Sequence, residues 1–188
     1  NPSEAGLKLF QGLGHGKFAE VRDPAVTSVL AVPNGSYSVS LGDLDKDGRI
    51  DIVVTQLRAS NITIFWNETK TAGAWDFAVD TRSIAATAST DPKAITIADL
   101  DADGWDDLIV AHPADNTLSF LAVTAGRTVA SWFAIKAPLP APVSWAVESL
   151  FAADLNRDGA KELVALSNGG KLLTIIPDVT RFTVPWQW

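Results

Sequence analysis

The chain has 188 residues, 47% of them hydrophobic and 20% charged, the balance of a folded globular protein and not of a disordered one. Its formal charge of −7 disfavours nucleic acid and anionic membrane surfaces as partners. Cysteine is absent, so no disulfide staples the fold, and no apolar run reaches the roughly 18–20 residues needed to cross a bilayer.

Taken in chain order, the elements read as short strands. Gly6-Leu-Lys-Leu-Phe-Gln11 has the pattern of a strand, and Gly14-His-Gly-Lys-Phe18 that of the turn into another. Together they make a half unit over 6–30. Residues 37–41, 52–55, 62–66 and 75–79 then alternate or run apolar with β-branched enrichment, a four-strand unit over 37–84. The pattern returns at 94–97, 108–111, 118–123 and 129–135 (unit 94–138), and at 147–151, 163–166, 172–176 and 181–186 (unit 147–188). Asn, Gly, Asp and Pro clusters separate the strands as turns. No stretch holds a 3.6-residue period, so helix content is expected to be very low.

An acidic segment follows the first strand of each full unit. LGDLDKDGRIDIVVTQ begins at Leu41, IADLDADGWDDLIVAHP at Ile97 and AADLNRDGAKELVALSNG at Ala152, so that Asp43, Asp99 and Asp154 lie 56 and 55 residues apart. Four short strands per unit of this period predict an all-β propeller segment of about three and a half antiparallel blades. A sandwich would not require the same acidic loop at one place in every unit. Ring closure takes roughly four to eight blades, so the remaining strands are expected from a longer chain or from neighbouring subunits.

The loops carry oxygen-bearing side chains on alternate positions: Asp43, Asp45, Asp47 and Asp51; Asp99, Asp101, Asp103 and Asp107; Asp154, Asn156, Asp158 and Glu162. Of 22 acidic residues, eleven fall in these three clusters, and carboxylates so crowded repel one another unless a cation gathers them. Calcium takes six to eight hard oxygens in a flexible shell. The seventh-position backbone carbonyls of Arg49, Trp105 and Ala160 add a ligand to each set, while Gly48, Gly104 and Gly159 permit the sharp bend. Magnesium demands a stricter octahedron, and no His or Cys stands by for zinc. An EF-hand needs a bidentate Glu at position twelve and flanking helices; here Val54, Val110 and Ala165 occupy that place and strands flank it. Three Ca²⁺ ions would bring the charge from −7 close to neutrality. Asp47→Ala is expected to weaken a calcium response more than Lys46→Ala.

These loops, the aliphatic strands after them and Gly12-Leu-Gly-His-Gly-Lys-Phe18 resemble the FG-GAP/VCBS repeats of integrin α-type propellers. The resemblance runs from Gly6 to about Val184, although the Phe-Gly/Gly-Ala-Pro signature is not cleanly present. It implies structural calcium held between inner strands at the loop positions named, and an extracellular binding or adhesion module. The lack of Met and of a leader is what a mature or excised piece of a secreted chain would show.

Three N-glycosylation sequons begin at Asn34, Asn61 and Asn67. Seven tryptophans (Trp66, Trp75, Trp105, Trp132, Trp145, Trp186, Trp188) serve either blade-to-blade packing, the favoured reading, or sugar stacking. Gly12, Gly14 and Gly16 form a turn and not a phosphate loop, because neither Lys-Ser/Thr nor a helix follows. His15 and His112 have no Ser or Cys partner in the sequence pattern, so no catalysis is expected. The function expected is therefore a non-catalytic binding module for a glycan or protein. The alternatives are a structural subunit of an extracellular filament or cell-surface assembly, and an accessory domain of a larger secreted enzyme.

Overall fold

The computed structural model describes residues 7–24, 26, 30, 35–56, 60–83, 91–114, 116–136, 147–167 and 172–176. Thirteen strands occur among them, arranged as consecutive antiparallel meanders. A hairpin pairs β1 (Phe10–Gly14) with β2 (Lys17–Glu20). The first four-stranded sheet runs β3 (Ser36–Gly42), β4 (Asp51–Gln56), β5 (Asn61–Asn67), β6 (Phe77–Ser83) in sequence order. The second repeats it with β7 (Ile95–Ala98), β8 (Asp107–His112), β9 (Thr117–Thr124) and β10 (Thr128–Lys136). A third sheet contains β11 (Val147–Ala153), β12 (Glu162–Ser167) and β13 (Leu172–Ile176). The fourth strand expected at 181–186 lies outside the described residues.

The sheets stack face to face because their middle strands are apolar on both sides. Along β4, Val53 packs toward the second sheet with Ile62, Ile64, Leu108 and Val110, while Ile52 and Val54 pack the other way with Phe65, Val26 and Leu30. Along β8 the alternation recurs: Leu108 and Val110 face the first sheet, Ile109 and Ala111 the third. A strand buried on both faces reads as a continuous aliphatic run, which is what 52–54 and 108–111 are. The first strands of the three sheets lie side by side, β7 between β3 and β11. The all-β architecture is that of a partial β-propeller, with β3, β7 and β11 as its inner strands.

The N-terminal half unit differs in one detail. The strand expected from Gly6 starts at Phe10, and its hairpin turns at His15 and Gly16 with positive φ at both. Leu7 and Leu9 hold their place by backbone bonds instead, Leu7 N–H donating to Leu30 C=O and Leu9 C=O accepting from Val21 N–H. Their side chains cap the first sheet. Leu30 N–H also donates to Val26 C=O.

Candidate metal loops

Each acidic segment joins an inner strand to the next, and all three fold alike. In the first, Gly48 N–H donates to Asp43 Oδ2 (2.9 Å), Asp47 N–H to Asp43 Oδ1 (3.1 Å) and Arg49 N–H to Asp47 Oδ1 (2.9 Å). The second repeats this with Gly104 to Asp99 (3.0 Å) and Trp105 to Asp103 (2.7 Å). The third does so with Gly159 to Asp154 (3.1 Å) and Ala160 to Asp158 (2.9 Å). The glycines sit at φ of 85°, 85° and 91°, as the bend expected of them requires. The fourth loop position has positive φ too, at Lys46, Ala102 and Arg157, a feature the sequence reading missed. A non-glycine pattern of this kind has no compositional signature.

The ninth position anchors each loop to its sheet. Asp51 is buried; its Oδ2 accepts from Leu44 N–H (2.9 Å) and its Oδ1 from Asn67 N–H (2.8 Å). Asp107 accepts from Leu100 (3.2 Å) and Val123 (3.4 Å) in the same way, and Glu162 accepts from Leu155 (2.7 Å). Burial pushes the Asp51 carboxyl up to about 6 against the two backbone bonds that hold it down, with the Asp45 and Asp47 charges adding to the rise. Burial likewise pushes Asp107 up to about 7, opposed by the Leu100 bond and reinforced by Asp101.

Two trios come together tightly enough for one ion. Asp43, Asp45 and Asp51 each present an oxygen within 4.8 Å of the others, and so do Asp99, Asp101 and Asp107. Among the described residues Asp99 Oδ1 is buried with no hydrogen-bond partner, which is an acceptor left over for a cation. The donor set is all oxygen and anionic, so it suits a hard divalent ion.

Two further expected ligands are not part of these trios. Asp47 is ion-paired with the Arg49 guanidinium, and Asp103 is outside the second trio. No comparable trio forms at Asp154, Asp158 and Glu162 among the described residues. There Asn156 replaces the second carboxylate, and its Nδ2 donates to Asp158 Oδ2 (3.0 Å). Lys46, taken as a bystander, has its ammonium 4.8 Å from the centre of the Trp105 ring, so it is a poor control for substitutions in the loop.

Of the sequons, Asn34 lies outside the described residues. Asn61 opens β5 opposite Gln56 and Ser83. Asn67 Nδ2, the atom a glycan would occupy, donates to Ile50 C=O (3.0 Å), so this side chain braces the first loop. Trp66 is buried in the core, and Trp75 is partly exposed and stacked on Phe77 with centroids 6.5 Å apart. Trp145, Trp186 and Trp188 lie outside the described residues, and Trp132 falls in β10. His112 does have a serine beside it: Ser119 Oγ lies 2.9 Å from Nε2. Cross-strand pairing of β8 with β9 creates that contact, and both residues are buried.

Residues 43–110 match the FG-GAP-like repeat family. The matched stretch begins at the first aspartate of the first loop and ends within β8, so it holds β4, β5 and β6 of the first sheet and both carboxylate trios. No curated protein matches the chain. Among the described residues no helix is long and apolar enough to cross a membrane.

Proposed function

With residues 43–110 an FG-GAP-like repeat within a partial propeller, we propose that the chain is an extracellular, calcium-stabilised binding module without catalytic activity. The observation that carries this reading is the pair of carboxylate trios at matching loop positions, each containing a buried aspartate, with Asp99 Oδ1 buried and unpartnered in the second. Asp43, Asp45 and Asp51 would hold one ion, and Asp99, Asp101 and Asp107 a second, with Asp47 joining only on leaving Arg49. The backbone carbonyls of Arg49 and Trp105 complete the sets. A bound cation supplies charge neutralisation and cross-links each loop to the strand behind it. The third loop, one carboxylate poorer, is the weakest of the three sites. A glycan or protein partner is the ligand class of this reading, with Trp75 an exposed aromatic suited to stacking on a sugar ring.

Thermal unfolding with millimolar Ca²⁺ against chelator tests the proposal. At a hundredfold excess over Kd, a ligand of the folded state adds about 2.7 kcal/mol, or roughly 5–10 °C for a chain of this size. Asp43→Asn and Asp99→Asn should each remove part of that shift, and Asp154→Asn the least. An identical melting temperature with calcium and with chelator would sink the metal assignment.

The assembly reading has its own observation. Phe151, Val164, Leu166, Leu173 and Ile175 share one face of the third sheet by register, and Phe151, Leu173 and Ile175 are 61%, 62% and 52% exposed. A further sheet, from another chain or from more of this one, would cover them.

A further inference from the structure

Arg127 reaches from the second sheet into the first metal loop. It sits in the β9–β10 turn, where Gly126 and Arg127 both have positive φ (75° and 59°). Its Nε donates to Asp45 Oδ2 at 2.8 Å and its Nη1 to Glu68 Oε1 at 2.7 Å. The guanidinium also lies 5.1 Å from the centre of the buried Trp66 ring. The side chain is 29% exposed and that of Asp45 only 10%, so the pair is shielded more than an ordinary surface ion pair. Burial lowers the Arg127 pKa, but its bonds to Glu68 and Asp45 outweigh this and raise it.

Asp45 is thereby shared. One oxygen is taken by Arg127, and the carboxylate as a whole belongs to the trio with Asp43 and Asp51. Fixing either interaction restricts the same side chain, and free-energy coupling of this kind is reciprocal. Glu68 matters to the sign of the effect. With two carboxylates on one guanidinium, the cluster stays net anionic beside Arg127, so the arginine orients Asp45 without neutralising the loop. A second contact runs the opposite way, from Lys46 of the first loop onto Trp105 of the second.

We propose that Arg127 is a positioning residue that transmits cation occupancy of loop 43–51 to the neighbouring sheet. Ion binding at the first loop stiffens the β9–β10 turn through Asp45, and docking of that turn preorganises the loop. The inference rests on the metal reading given above and deepens it. The guanidinium fork is required: lysine retains the charge but presents a single point donor and not two aligned N–H groups.

Hydrogen exchange of the 188-residue chain, compared between calcium and chelator within each variant, tests this. In the wild type, calcium should slow exchange in loop 43–51, loop 99–107 and turn 124–128, the turn by roughly fivefold or more. In Arg127→Asn, whose new side chain tolerates the left-handed backbone, loop 43–51 should still respond while the turn loses its calcium-dependent slowing. Asp43→Asn should abolish the response of both loop 43–51 and the turn, leaving that of loop 99–107. A purely structural role would speed exchange equally with and without calcium, so the difference between the two conditions isolates the coupling. Glu68→Gln, which leaves Arg127 folded against Asp45, should reduce the turn's response partially, and reports even if Arg127→Asn unfolds. A turn that keeps its full wild-type response in Arg127→Asn or in Glu68→Gln, while loop 43–51 responds, overturns the coupling alone. A loop 43–51 indifferent to calcium in the wild type overturns the metal reading and the coupling with it.

Discussion

Lys46, Ala102 and Arg157 stand at the fourth place of their loops with φ of 57°, 59° and 64°. The left-handed region costs an L-residue roughly 1–2 kcal/mol, a penalty glycine escapes. Three side chains therefore carry strain at the same point of the bend, while the sixth-place glycines beside them carry none. Ala102 is exposed and supports no packing, so Ala102→Gly should stabilise the chain. The gain is the relieved strain less the roughly 0.4–1 kcal/mol that glycine's freedom returns to the unfolded state, leaving about 0.5–1 kcal/mol. Denaturant unfolding with an unchanged slope and a higher midpoint would show it; a lower midpoint contradicts the strain argument. The same substitution at Lys46 would also remove its contact with Trp105, so the two positions are not equivalent. The ninth-place acids show the other residue-scale lesson. Asp51, Asp107 and Glu162 are the buried acids of their loops; Asp51 and Asp107 each accept from two backbone amides and Glu162 from that of Leu155 before any ion is considered.

At the level of elements, each sheet is positioned by how closely its inner strand approaches the next. Gly42 ends β3 where a Cβ would come within 2.8 Å of Ile97 Cγ2 on β7. Ile97 packs with the core between the first and second sheets, so it has little room to withdraw. Gly42→Ala should thus force the two inner strands apart and cost about 1–3 kcal/mol, the range for overpacking a filled core. Equilibrium unfolding measures this, and a loss below about 0.5 kcal/mol would mean that the sheets slide freely past one another. Gly42 has no positive φ in the structure; it is needed for closeness and not for conformation. Buried Phe65 and Phe120 fill the layers on either side of the stack, where the alternation of strand faces directs them.

Across the whole molecule, the apolar faces left at the two ends of the stack are the dominant feature. At one end are Phe151, Leu173 and Ile175. At the other, Val39 and Leu41 are exposed on β3. Val39 and Leu41 pair with Val54 and Ile52, whose side chains are covered by the N-terminal segment. That segment covers the outer strands and leaves the inner one bare. Exposed large apolar side chains grouped on one sheet face are a feature of association surfaces. The 188-residue chain is therefore expected to self-associate with rising concentration. Leu173→Glu combined with Ile175→Glu should shift sedimentation toward monomer while leaving the calcium response intact. Monomeric wild-type protein at all concentrations would remove the assembly reading.

The 56- and 55-residue spacing, the alternation of apolar positions and the turn residues were enough to place the described strands to within a few residues, because each is a local property of the chain. The acidic loops were legible for the same reason: the spacing of acidic positions along nine residues is local. Tertiary structure decided which carboxylates meet. It separated Asp47 toward Arg49, left the third loop without a trio and raised Asp51 and Asp107 by burying them. It also brought Arg127 to Asp45 across 82 residues and set Ser119 beside His112. The reach of Arg127 depends on sheet packing against sheet, a distance no period in the sequence encodes; Ser119 meets His112 through the pairing of β8 with β9, while the Asp47–Arg49 pair and the Asn156 substitution lie within single loops.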